Sequence, residues 1–82
     1  MEEMREMKER EFERSMLEIE EMAHQILARV KELRRWFSAF IDGDATEIDV
    51  RDVARELEGE IKQLHTSYGD LKEWLVKEIL ER

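Results

Sequence analysis

Two histidines and the polar groups spaced around them are the residues of this 82-residue chain best suited to chemistry. Glu21 and His24 stand in a Glu-x-x-His pattern. In metal-binding helical bundles that pattern supplies two inward ligands, joined by carboxylates from the facing helices. Here Ala23 takes the apolar seam position, Glu21 falls nearly opposite it, and His24 falls to one side. No seam position from 12 to 40 or from 50 to 75 is charged, so ligand count and inward geometry both fail. His65 is followed by Thr66, Ser67 and Tyr68. A serine nucleophile needs a positioned base and a turn that exposes it, and Ser67 has neither. The run Asp42-Gly43-Asp44-Ala45-Thr46-Glu47-Ile48-Asp49 has the composition of a calcium loop. Counted from Asp42, however, Glu47 and Val53 stand where that loop needs Gly and Glu. A polar turn leading into a helix cap accounts for it. Trp36 and Trp74 border the seams and read as packing, and no glycine-rich phosphate loop is present. The sequence therefore predicts no enzyme, no catalytic, cofactor-binding or metal-ligating residue, and no cofactor.

The elements beneath these residues are written in the apolar spacing. In the first segment Phe12, Met16, Ile19, Ala23, Ile26, Val30, Leu33, Phe37 and Phe40 follow steps of four and three. In the second, Val50, Ala54, Leu57, Ile61, Leu64, Tyr68, Leu71 and Leu75 do the same. Sustained 4-3 spacing specifies helices with a narrow apolar seam. Helix 1 is expected over about 2–41, its acidic start (Glu2, Glu3, Glu6) suiting the positive end of the helix dipole. Arg5 and Glu9 occupy the two seam positions before Phe12, so the first ten residues are expected to project past the packed region or to fray.

Residues 42–48 are the one clear break. Gly43 suits the positive φ that follows a helix end. Two caps can restart the chain, Thr46 with Asp49 or Asp49 with Asp52, so a start between 46 and 49 is expected, with helix 2 over about 49–82. Gly69-Asp70 offers a competing stop and start, but Leu64, Tyr68, Leu71 and Leu75 keep their rhythm through it, which favours one uninterrupted helix.

Folding the helices back as an antiparallel hairpin, with paired numbers adding to 90 or 91, sets Ala54 against Phe37 and Ala23 against Tyr68. Small-against-large matching is what close packing favours. The stripe is nonetheless wider than one seam. Met22, Leu27, Trp36 and Ile41 flank it on helix 1, and Val53, Trp74 and Ile79 on helix 2. A stripe this wide calls for more than one neighbouring helix. Two hairpins closing into a homodimeric four-helix bundle is the simplest closed arrangement.

Composition agrees with a small domain that needs help. A core of this size supplies only a few kcal/mol without disulfides, metal or association, and the chain has no cysteine. Residues 1–82 read as a single all-α domain. Charged residues make up 44 % of it, which argues against a membrane span. The net charge of −8, concentrated in the second half, argues against nucleic acid, whose affinity rests on neutralising phosphates. The first residues lack the basic start and apolar run of a secretory signal, so a cytoplasmic location is expected. The leading expectation is a structural or interaction protein, a self-associating hairpin that serves as a dimerisation or scaffold module, natural or designed. A small acidic regulator with a basic protein partner is the alternative, and a metal-binding bundle the lesser one.

Overall fold

The computed structural model describes residues 2–80, with side chains from 3 to 79, and consists of two helices joined by a short turn. Met1 and positions 81–82, the end of the expected second helix, lie outside the described residues. Helix α1 runs Glu2–Ile41 and α2 runs Glu47–Leu80. Neither glycine nor proline interrupts α1, and 40 residues at ~1.5 Å rise give a rod of about 60 Å. The molecule measures 63 × 18 × 12 Å, so α1 sets its length and α2 folds back along it.

The turn stops one helix and starts the next with separate devices. Gly43 adopts φ +84°, a region costly for residues with a Cβ. Its N–H donates to the Phe40 carbonyl at 3.1 Å, and the Asp44 N–H reaches back to the Ala39 carbonyl at 2.8 Å. Carbonyls that would otherwise end the helix without partners are thereby satisfied. Of the two possible caps, the chain uses Thr46 with Asp49. The Asp49 N–H donates to Thr46 Oγ1 at 3.3 Å, while the Asp49 carboxylate accepts from the Thr46 N–H and hydroxyl, each at 3.0 Å. This reciprocal box begins α2 at Glu47, inside the expected window of 46 to 49. Within the calcium-like run the Thr46 and Asp49 side chains are thus occupied with starting α2, and the Glu47 carboxylate accepts from Arg51 at 3.0 Å.

Helix α2 passes through Gly59 and Gly69 without a break. A Cβ at either position would meet nothing within 4 Å. The unbroken seam rhythm therefore outweighs the local stop signal at Gly69-Asp70.

One core this thin does not bury much. Among the described residues Val53, at 7 % exposure, is the only buried apolar side chain. The radius of gyration is 18.5 Å, against about 12 Å for a compact chain of this length.

Candidate interaction surface

Which side of each helix meets the other is fixed by the contacts across the hairpin. Lys8 Nζ lies 2.6 Å from Glu78 Oε2. Phe12 shares a groove wall with Trp74 and Leu75, and Ser15 shares another with Ser67 and Leu71. Further up, Arg29 Nε bonds Glu60 Oε1 at 2.8 Å, and Arg29 Nη1 reaches Glu56 at 2.8 Å and Glu32 at 2.7 Å.

These contacts correct the expected register. Phe12 was expected level with positions 78 and 79; it lies beside Trp74, about one helical turn away. Each helix also rolls. The columns Phe12, Ile19, Ile26, Leu33 on α1 and Val50, Leu57, Leu64, Leu71 on α2 are half-buried between the helices. The second column at the contact, however, is Lys8, Ser15, Met22, Arg29 on α1 and Val53, Glu60, Ser67, Trp74 on α2. Their expected counterparts, Met16, Ala23, Val30, Phe37 and Ala54, Ile61, Tyr68, Leu75, turn to the side. Of these, Ala23, Phe37, Ala54, Ile61 and Tyr68 are exposed, while Met16, Val30 and Leu75 are half-buried. The Ala23–Tyr68 layer is therefore not formed within the chain: Tyr68 is 51 % exposed and level with Met16.

Arg29 is the polar centre of the inner contact. Its guanidinium is held above the ordinary arginine pKa, first by the hydrogen bond with Glu60. Partial burial opposes this, and the charges of Glu56, Glu60 and Glu32 add to it. It stays charged throughout the accessible pH range and joins the helices at one fixed height.

The hairpin consequently has two unlike faces. On one, Glu11, Glu18, Gln25 and Glu32 of α1 run beside Asp49, Glu56, Gln63 and Asp70 of α2. That they share a side follows from Glu32 and Glu56 both reaching Arg29, and from Glu11, Glu18 and Asp70 lining one groove. On the other face lie the two displaced apolar columns, with Leu27 and Ile41 at one edge and Ile79 at the other. At its lower end Glu9, Glu13, Leu75 and Ile79 line a common groove, which fixes these columns to one side as well. Phe37 is 53 % exposed, Leu27 52 %, Ile61 48 % and Ile41 67 %. The Phe37 and Phe40 rings meet near the turn at a 35° tilt, with centroids 6.3 Å apart.

The residues with chemical potential are dispersed. His24 is exposed on the side of α1 away from α2, and His65 is exposed at an edge of the apolar face. Trp36 is partly exposed near the turn, and Trp74 packs between the helices. No group of three or more His, Cys, Asp or Glu side chains is gathered for a metal among the described residues. No helix among them is long and apolar enough to cross a membrane. Comparison with protein-family models, with curated proteins and with solved structures finds no match to this chain.

Sequence reasoning missed the cross-helix ion pairs. The signal for them was available: Lys8 and Glu78, and Arg29 and Glu60, are opposite charges at matching heights in one common register.

Proposed function

We propose that this protein is a self-association module: two hairpins pack through their apolar faces into a homodimeric four-helix bundle that serves as a dimerisation or scaffold unit. One observation carries this reading. Each helix turns its column containing charged and hydroxyl side chains toward its hairpin partner and its more apolar column outward. A solitary hairpin gains nothing from that choice, since it exposes the side chains whose burial would stabilise it most.

Area gives the scale. The chain exposes 7165 Å², whereas a compact monomer of this mass would expose about 5,200 Å². The difference, roughly 2,000 Å², is of the order each subunit contributes to a sizeable obligate homodimer interface. Conformational entropy sets the need. Ordering a chain costs on the order of 1–2 kcal/mol per residue, and a core with one buried apolar side chain among the described residues offsets little of it.

The opposite face supplies the alternative reading, a small acidic regulator that takes a basic partner. Arg29 already neutralises part of the acid there through Glu32 and Glu56, which leaves that reading weaker. Sedimentation equilibrium at low micromolar concentration tests the proposal. A helical species of twice the 10.0 kDa chain mass is expected; a folded monomer would refute it.

A further inference from the structure

We draw no further inference here: the strongest candidate, the cleft between α1 and α2 lined by Ser15, Ser67 and Trp74 with Glu11, Glu18 and Asp70 at its edge, is an acidic cluster open to water, and nothing in the structure shows what covers it.

Discussion

The two faces of the hairpin are built from the same two helices in the same heptad frame, yet one is acidic and the other apolar. On the acidic side Glu11, Glu18, Glu32, Asp49, Glu56 and Asp70 recur every seven residues, tied in at one height by Arg29. On the apolar side Met16, Val30, Phe37, Ile61, Tyr68 and Leu75 recur with the same period. A helix that touched one neighbour would need one apolar column pair. These helices carry three apolar or mixed columns each, and the surplus lies on one side. The asymmetry between the faces, more than the apolar content itself, is what supports the proposed neighbour on that side.

The largest expected effect breaks that asymmetry directly. Ile61→Asp puts an unpaired carboxylate in the middle of the apolar face and should weaken association by about 3 kcal/mol or more, roughly a hundredfold. Gln63→Asp, two residues away on the acidic face, should leave the assembly mass unchanged. Sedimentation of the two variants side by side tests the comparison, and equal behaviour would erase it.

Next in size is the column both helices share. Leu57→Ala removes a half-buried side chain from between α1 and α2. It should cost about 2 kcal/mol, at the lower end of large-to-small core changes because the site is only partly buried. Urea unfolding reads this, and a cost below that of a matching change on either outer face would mean the hairpin contact is not the primary one.

A cap comes third. Thr46→Ala deletes the hydroxyl that accepts from Asp49 and should lower stability by about 1 kcal/mol. Because the turn touches neither face, the loss should appear in thermal unfolding without a change in subunit mass.

The smallest change runs the other way. Gly59 lies toward the acidic side and Gly69 on the edge of α2 remote from α1, and each has open space for a Cβ. Alanine at either should stabilise by up to about 1 kcal/mol. Equal gains at both would show that no partner helix approaches either backbone; a loss at Gly69 alone would extend the covered surface beyond the apolar face.

Much of the fold was legible in the sequence. Absence of glycine and proline through residue 41, the polar run at 42–48, Gly43 as a stop and Thr46 with Asp49 as one of two possible starts all act locally, and local chemistry is written in neighbouring residues. Seam rhythm through Gly69 was legible for the same reason. The pairing of columns was legible only by half. Ranking columns by hydrophobicity found Phe12, Ile19, Ile26, Leu33 and Val50, Leu57, Leu64, Leu71, which the helices share. It then assigned the next most apolar column to the hairpin contact, though hydrophobicity says only that a column is covered, never by which neighbour. Lys8, Arg29, Glu60 and Glu78 decide that question through charge, and a seam defined by apolar residues alone passes over them.

The turn has a mechanical consequence. Because α1 starts and α2 ends at the same end of the rod, tension applied to the two ends of the chain peels the helices apart from that end instead of sliding them past each other. Lys8–Glu78 carries the load first, then Phe12 against Trp74, then each layer in succession. Only one layer resists at a time, so the hairpin yields at low force and in small steps, with the Arg29 cluster as its last ionic catch before the turn.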